Sequence, residues 1–167
     1  MSAPDAVLIR PFRADDRDAL VACVRGLQAH EAEFEPRMKA PEELGGWYFD
    51  GQLEECRRKN GVILVAEVAG DVIGYITVYA TETCEDPDER DYEYACVADV
   101  AVNEDHRGRG IGRALLEAAE RHARDHGAKW LRISVLARNR GALALYERFG
   151  FEHRIVELEK ALDAKTG

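Results

Sequence analysis

The sequence predicts one α/β domain with a mixed, mostly antiparallel central sheet and flanking helices. Three observations lead to this class. Short β-branched segments alternate with segments of helical periodicity, a tight turn at 69–71 joins two strands, and a long amphipathic helix connects later strands at 97–102 and 130–136. A helical crossover makes the two strands it joins parallel neighbours. We therefore expect residues 1–167 to form a single domain.

The first third of the chain is predicted to hold one strand and two helices. An apolar run predicts a strand over 7–10, and the spacing of Leu20, Val24 and Leu27 predicts a helix over 15–30. An irregular acidic stretch follows, and a second helix is expected to end at Lys59.

The rest of the chain alternates more regularly. The predicted elements are a hairpin of strands over 62–68 and 72–81, a strand over 92–102, a helix over 110–126, a strand over 130–136, a short helix over 141–149 and a last strand over 151–158.

Composition argues against several classes of protein. The net charge of −9 would repel a phosphate backbone, so nucleic acid is not an expected partner. No stretch approaches 18 apolar residues and no basic N-terminal patch is present, so neither membrane spanning nor secretion is predicted. No C-x-x-C pair occurs, and His106 and His122 lack partners at metal spacing, so no metal is predicted. Reduced cysteines in a cytoplasmic protein are the expectation: Cys23, Cys56, Cys84 and Cys96.

A glycine-rich turn joins the strand that ends at Val102 to the long helix. Glycines at 108, 110 and 112 allow backbone N–H groups to crowd around an anion, and the helix N-terminus adds unpaired donors and a favourable dipole. The G-x-G-x-G spacing differs from both common nucleotide loops. Three arginines add positive charge: Arg107, Arg109 and Arg113. The turn is predicted to hold a phosphate or diphosphate, and a loop that merely turns the chain is the alternative.

Two motifs carry a family resemblance. Arg107-x-x-Gly110-x-Gly112 after a Val-x-Val strand end closely resembles the acetyl-coenzyme A signature of the GCN5-related N-acetyltransferase (GNAT) superfamily. The later stretches look like the fifth strand and following helix of that family: Val135-Leu136-Ala137-x-Asn139 and Ala144-Leu145-Tyr146-Glu147-x-x-Gly150-Phe151. Together the matches span 97–151 in the correct order.

The resemblance implies a site for acetyl-coenzyme A. The pantetheine arm would lie in a wedge between two splayed parallel strands, where backbone groups bond it like an added strand, and the turn would hold the diphosphate. The implied cofactor-binding residues are Val100, Ala101, Val102, Arg107, Gly108, Arg109, Gly110, Ile111, Gly112, Arg113, Asn139 and Tyr146.

Acetyl transfer to an amine needs a base and an acid, because an alkyl amine is protonated near neutrality and a thiolate leaves more easily once it is protonated. Tyr146 matches the family's usual acid, with a core aromatic as the alternative. Asp99 lies in an apolar strand and by alternation shares a face with Val97 and Ala101. Asp99 could take the proton, fix the substrate's charge or satisfy a backbone group. Other candidate bases are Glu93, Glu67 and water.

Acidic residues favour a cationic acceptor, such as a polyamine, an aminoglycoside, lysine or a protein N-terminus, with a solvated acidic loop as the alternative. The expected acceptor-binding residues are Glu31, Glu33, Glu93 and Asp99. Further acids in the same regions are Glu35, Glu82, Glu85, Asp86, Asp88, Glu89 and Asp91. These acids and the Asp99 position also resemble the spermidine/spermine acetyltransferase branch.

Two questions stay open at this point. The leading function is an acetyl-coenzyme A-dependent N-acetyltransferase, and the alternative is a non-catalytic acyl-coenzyme A binding module that regulates a partner. The persistence of Tyr146 and Asp99 favours the enzyme. Dimers are common in the family, and the last strand at 154–158 could pair across an interface, so a homodimer is left open.

Overall fold

The computed structural model describes residues 6–162, and all of its strands belong to one five-stranded sheet. In order across the sheet they are β1 (Leu8–Pro11), β2 (Val62–Val68), β3 (Asp71–Thr83), β4 (Glu93–Val102) and β5 (Leu131–Ile133). The helices are α1 (Arg17–Ala32), α2 (Gly46–Arg58), α3 (Ile111–Asp125) and α4 (Arg140–Phe149). Only β4 and β5 are parallel. The predicted fold class is confirmed.

Two apolar cores lie on opposite faces of the sheet. On one face, α3 and α4 bury residues such as Leu115 and Tyr146 against the strands. On the other face, α1 and α2 bury residues such as Leu20 and Phe49. Each helix has one apolar stripe, and the sheet has two apolar faces. Packing two helices on each face removes the stripes and both faces of the sheet from water. None of the described helices has the length and apolarity needed to cross a bilayer.

A β-bulge changes the direction of the side chains in β4. Thr77 lies opposite Asp99 and Val78 lies opposite Val97, so Ala98 is an extra residue with no partner on β3. Val97 packs in the core under α3, whereas Ala101 packs under α1 and α2. The prediction that Asp99 shares a face with Val97 is therefore wrong, because the bulge shifts the alternation by one residue. Asp99 faces α2, on the side of Ala101.

The two parallel strands diverge. β5 pairs with β4 only through residues 131–133 and 95–97, and the chain leaves the sheet after Ile133, although a strand was expected over 130–136. From Ala98 to Val102, β4 therefore has β3 on one side and no described strand on the other. The predicted wedge is present and opens toward the C-terminal end of β4.

The predicted last strand over 151–158 is wrong, since residues 151–162 make no sheet pairing. The segment is held by ion pairs instead. Arg154 contacts Glu89 near the start of β4, and Glu159 accepts a hydrogen bond from Arg37 at 2.8 Å. A β-branched pattern shows that a segment can be a strand, but it contains no information on whether a neighbouring strand lies within reach.

Candidate active site

The glycine-rich turn adopts a backbone that only glycine accepts easily. Gly108 has φ 75° and Gly110 has φ 79°, both in the left-handed region. A Cβ built at either position would meet nothing within 4 Å. Glycine is therefore required at these two positions by the backbone conformation and not by lack of space.

Six successive backbone amides, those of residues 108–113, have no hydrogen-bond partner within the described part of the chain. The amide before them, at Arg107, donates to the Glu104 carbonyl at 3.1 Å, and the amide after them, at Ala114, donates to the Gly110 carbonyl at 3.0 Å. The first-turn amides of a helix have no intrahelical acceptors, and the helix dipole adds partial positive charge there. This end of α3 is thus a concentrated set of donors, which fits a diphosphate.

The three arginines of the turn differ in their availability. The Arg107 guanidinium donates from Nε to the Val102 carbonyl at 3.0 Å. Arg113 is paired with Glu117 at 2.9 Å, so part of its charge is offset. Arg109 makes no ion pair or hydrogen bond with the described residues and is exposed. A groove of ≈ 270 Å³ runs beside Arg107, between α1 and the end of β4.

Backbone direction in β4 decides which groups face the wedge. The Asn103 amide donates to the Ile73 carbonyl at 2.8 Å, so Asn103 faces β3. Because backbone groups alternate along a strand, Ala101 also faces β3, while Val100 and Val102 face the wedge. The bulge determines this alternation. Before the bulge, the Ala95 amide donates away from β3, to the Trp130 carbonyl at 2.8 Å, whereas after it Ala101 and Asn103 face β3. Of the three predicted residues, Val100 and Val102 offer backbone groups to a cofactor.

Asn139 lies at the other side of the wedge and caps α4. Its Oδ1 accepts a hydrogen bond from the Ala142 amide at 3.2 Å, and the residue is only 9% exposed. This is an N-cap role, which stabilises the start of the helix that carries Tyr146. Its side-chain nitrogen donates to no described residue, so the predicted contact of Asn139 with the pantetheine arm stays a prediction.

Asp99 is held by three side chains that the sequence reasoning missed. Its Oδ2 accepts hydrogen bonds from the Tyr48 hydroxyl at 3.1 Å, from the Tyr75 hydroxyl at 3.0 Å and from Gln52 Nε2. The Thr77 hydroxyl donates to the side-chain oxygen of Gln52, Oε1, at 2.9 Å and so fixes the orientation of the Gln52 side-chain amide. Oδ1 has only a long contact of 3.4 Å with Tyr48. Burial raises the pKa of Asp99, and the three donors oppose this effect.

Glu31 and Tyr146 lie close enough to Asp99 for the charges to interact. Burial raises the pKa of Glu31, and the charge of Asp99 raises it further. Burial raises the pKa of Tyr146 to about 12, with added effects from Glu31 and Asp99. The Tyr146 hydroxyl makes no hydrogen bond within residues 6–162, and it is not among the buried polar atoms without a partner, so it reaches the cleft. The charges of Glu31 and Asp99 thus both act on Tyr146.

The other predicted acceptor-binding acids lie elsewhere. Glu33 is mostly exposed and sits 3.8 Å from His30. Glu93 pairs with Thr83 at the opposite end of β4. Asp99 lies six positions further along β4, which corresponds to about 20 Å along a strand. Glu33 lines the groove beside Arg107, whereas Glu93 lies at the far end of β4 from the wedge.

Several of the remaining acids are already neutralised. Arg37 holds the pKa of Glu35 at about 2 by hydrogen bonding. Glu82 is paired with Lys59 at 2.6 Å, and Glu89 with Arg154. The loop at 84–92 begins at the far end of β4, so its charges do not line the cleft.

One group of potential metal ligands occurs in the described part of the chain: Cys84, Asp86 and Glu89. The Glu89 carboxylate already accepts hydrogen bonds from Tyr92 at 2.8 Å and from Arg154. Exposed carboxylates of this kind are common without an ion, so the absence of a metal stays a prediction.

The sequence profile of the Acetyltransferase (GNAT) family matches residues 25–151 of the chain. The matched range includes α2, the whole wedge, the glycine-rich turn and Tyr146. The chain belongs to the GNAT family. The resemblance identified from the motifs is thus confirmed, because the match covers more than half of the chain.

Named relatives agree with the GNAT assignment. An uncharacterised N-acetyltransferase of Methanocaldococcus jannaschii is 32% identical over 110 residues, 66% of this chain and 46% of the relative. A mycothiol acetyltransferase of Propionibacterium freudenreichii is 28% identical over 148 residues, 89% of this chain and 44% of the relative. The chain thus spans less than half the length of these two relatives.

Solved structures share the fold. A variant of the BH1408 protein from Bacillus halodurans superposes with a TM-score of 0.81 at 21% identity, covering 93% of this chain and 99% of that one. Glucosamine-6-phosphate N-acetyltransferase from Arabidopsis thaliana gives a TM-score of 0.67 at 20% identity, covering 95% and 100%. At this level of identity the likeness shows the GNAT fold alone.

Proposed function

We propose that the protein transfers an acetyl group from acetyl-coenzyme A to the primary amine of a cationic small molecule or of a peptide. The observation that carries this proposal is the run of six unpartnered amides at residues 108–113, placed at the mouth of the wedge. Family membership supports the same donor. The residues fit it, because backbone donors, two arginines and an open strand edge are the groups that a diphosphate and an amide-containing arm require.

The donor would be positioned by backbone groups. The amides of residues 108–113 bind the diphosphate, Arg109 adds charge, and the backbone groups of Val100 and Val102 hold the pantetheine arm along β4. The Val102 carbonyl already accepts a hydrogen bond from Arg107, so an arm that uses this carbonyl takes its second lone pair or displaces the guanidinium. The acyl carbon would lie near Asp99 and Tyr146.

Tyr146 is proposed as the general acid. Its hydroxyl has a raised pKa, so it is protonated at neutral pH, and it faces the cleft without a competing hydrogen bond. As the carbon–sulfur bond breaks, the phenol gives its proton to the sulfur, which makes the departing thiol a better leaving group. The packing of Tyr146 in the α3 core fixes the direction of the ring.

The acceptor is proposed to be cationic because Glu31 and Asp99 are both partly buried and neither carboxylate makes an ion pair within residues 6–162. An ammonium group would replace the lost hydration of Asp99 at the open Oδ1. A place in the spermidine/spermine acetyltransferase branch stays a hypothesis, since most of the acids on which it rests have basic partners or lie away from the wedge.

The direct test offers acetyl-coenzyme A together with a panel of amines and follows the release of free thiol. The panel should include polyamines, aminoglycosides, lysine and peptides with free N-termini. We expect thiol release with at least one cationic amine. Tight binding of acetyl-coenzyme A with no release from any amine would favour the non-catalytic binding module instead.

A homodimer through the C-terminal segment is a further part of the proposal. Four large apolar side chains are exposed there: Ile155 at 70%, Val156 at 70%, Leu158 at 89% and Leu162 at 87%. If the segment pairs with its own copy around Val156, Glu152 faces Lys160, which is a favourable pair. If the pairing is centred on residue 157 instead, Glu157 lies opposite Glu157 of the copy, which is unfavourable. Charge thus favours the register centred on Val156.

For the dimer, we expect Leu158→Lys to produce monomers at concentrations where the unmodified protein is dimeric, because Leu158 lies opposite Arg154 of the copy in this register and the change sets two positive charges against each other. Leu8→Lys is the matched control, since Leu8 is also exposed, at 52%, but lies on β1 at the other edge of the sheet. Sedimentation over a range of concentrations measures both. An unmodified protein that stays monomeric throughout would refute the dimer.

The cytoplasm and a single domain over 1–167 remain part of the proposal. The first is supported by four unpaired cysteines within residues 6–162, as expected in a reducing compartment. The second is supported by the single sheet to which every described strand belongs.

A further inference from the structure

Gln52 reaches Asp99 from α2 and is almost wholly buried. Its side-chain nitrogen donates to Asp99 Oδ2, and its side-chain oxygen accepts a hydrogen bond from the Thr77 hydroxyl at 2.9 Å. Gln52 is 6% exposed and Thr77 is 0% exposed. Burial of an amide and a hydroxyl is unfavourable unless both find partners, so apolar residues are more common under a helix. The packing of α2 on the sheet therefore does not by itself account for these two polar groups.

The Thr77 hydroxyl determines which end of the Gln52 amide meets the carboxylate. A hydroxyl can donate or accept, whereas the amide oxygen only accepts and the amide nitrogen only donates. If the amide were reversed, its oxygen would lie against Asp99 Oδ2, and two acceptors would face each other. The Thr77 hydroxyl makes no hydrogen bond with the Asp99 carboxylate itself, so it acts on that group through Gln52.

All three groups that donate to Asp99 Oδ2 are uncharged. Besides Gln52, they are the Tyr48 and Tyr75 hydroxyls, at 3.1 and 3.0 Å. Burial raises the pKa of both tyrosines, so both hydroxyls are protonated at neutral pH and can donate. Such donors favour the ionised carboxylate. Burial raises the pKa of Asp99, and of the three donors Gln52 opposes this effect most strongly.

The other ionisable groups that respond to Asp99 add no positive charge. Besides burial, the charge of Asp99 contributes to the raised pKa of Glu31 of α1, of Tyr79 of β3 and of Tyr146 of α4. Asp99 makes no ion pair within residues 6–162. The ionised carboxylate thus depends on neutral donors until a cation reaches Oδ1, which has no hydrogen bond shorter than 3.4 Å.

We propose that Gln52, oriented by Thr77, is the positioning residue that keeps Asp99 ionised and turned with Oδ1 toward the acceptor ammonium. The proposal rests on the proposed function. Gln52 acts on the acceptor only through Asp99. Because two tyrosines hold the same carboxylate oxygen, Asp99 stays in place when the Gln52 donor is lost. What changes is the pH at which the carboxylate takes up a proton.

Gln52→Met removes the donor while keeping the length of the side chain. Asp99 then loses a hydrogen bond that favours its ionised form, so its pKa rises, by about one unit or more. The titration of the amine is the same in both proteins and cancels when their kcat/KM values are divided. For an amine identified in the thiol-release assay, this ratio should lie near one at high pH and fall to about one tenth below both pKa values of Asp99. The loss should appear in the KM for the amine and leave kcat nearly unchanged.

Substitutions at Thr77 separate the hydrogen bond from packing. Thr77→Val keeps the volume of this buried side chain and removes the hydroxyl, whereas Thr77→Ser keeps the hydroxyl and removes a methyl group. Thr77→Val should shift the pH profile in the same direction as Gln52→Met, and Thr77→Ser should keep the normal profile. A role in packing alone would lower the melting temperature, most of all where the methyl group is lost, and would leave every pH profile in place.

A direct titration of Asp99 makes the result independent of catalysis. The ¹³C signal of its carboxyl carbon, assigned from its loss in Asp99→Asn, reports the pKa in the protein without substrates. We expect this pKa to rise in Gln52→Met and Thr77→Val and to stay unchanged in Thr77→Ser. Gln28→Met is the matched control, because it makes the same change on α1 and removes a hydrogen bond to the Lys39 carbonyl. It should leave the pKa of Asp99 unchanged.

The outcomes distinguish this inference from the proposed function. If an amine supports thiol release but the pKa of Asp99 is the same in Gln52→Met, the inference is wrong and the function stands. A raised pKa with a kcat/KM ratio near one at every pH would also overturn it, because the acceptor would then not need an ionised Asp99. If no amine supports thiol release, the proposed function fails, and the acceptor role of Gln52 fails with it.

Discussion

Replacing Tyr146 with phenylalanine is expected to lower kcat by about 10²- to 10⁴-fold, the usual loss when a general acid is removed. The change deletes only the hydroxyl, which makes no hydrogen bond within residues 6–162, so the packing of the ring against the α3 core is kept. Acetyl-coenzyme A affinity and the melting temperature should therefore hardly change. Steady-state thiol release, calorimetry and thermal unfolding together measure the three quantities.

Tyr94→Phe is the matched control for this experiment. Tyr94 also lacks a hydrogen bond from its hydroxyl within the described part of the chain, and it lies near the start of β4, away from the wedge. It should keep normal turnover. Full activity in Tyr146→Phe would contradict the acid role, and a large drop in melting temperature would show that the hydroxyl matters for folding instead.

Replacing Gly110 with alanine is expected to weaken coenzyme A binding by at least about tenfold, since one hydrogen bond to a charged group is worth roughly 1.5–3 kcal/mol. Gly110 is the N-cap of α3 at φ 79°, a conformation that costs an alanine about 1–2 kcal/mol. Relaxation of this strain rotates the peptide planes that aim the amides of Gly110 and Ile111. Calorimetry with coenzyme A measures the effect.

Gly70→Ala is the matched control, because Gly70 has φ 93° and open space around it, as Gly110 does, but it lies in the turn between β2 and β3. Both variants should lose a similar amount of stability in urea unfolding. Only the change at Gly110 should affect the cofactor. Equal coenzyme A affinity in the two variants would show that the aim of these amides is unimportant.

The fold could be predicted from the sequence because its main signals are local. The periodicity of α3, the hairpin at Ala69 and Gly70, and the long crossover before β5 each depend on residues close together in the chain. The glycine-rich turn was also predictable, since its left-handed glycines and the helix after it are adjacent. Together they account for the cofactor half of the site.

The acceptor half was less predictable because it depends on contacts between distant segments. The bulge at Ala98 leaves no mark in an apolar strand, yet it decides that Asp99 faces α2. Tyr48, Gln52 and Tyr75 meet Asp99 from two other elements, and no spacing rule connects them. Glu93 was favoured by its charge alone, which carries no information on the end of the strand at which it lies.

Acidic residues were overcounted for a related reason. Sequence reasoning treats Glu35, Glu82 and Glu89 as free charges, whereas the fold gives each of them a basic partner. For Glu82 and Glu89 the partner is distant in the chain, so tertiary contacts decide the pairing. Glu31 and Asp99 make no ion pair within residues 6–162, and both are partly buried and affect the pKa of the proposed acid.

The central claim is that the amides of residues 108–113 bind the diphosphate of coenzyme A. Titrating ¹⁵N-labelled protein with coenzyme A and following each backbone amide by NMR tests it most directly. We expect the amide signals of residues 108–113 to show the largest changes. Pantetheine, which lacks the diphosphate, should leave these signals nearly unchanged. The claim would be contradicted by saturable binding that leaves the NMR signals of these six amides unchanged. It would also be contradicted if the folded protein did not bind coenzyme A.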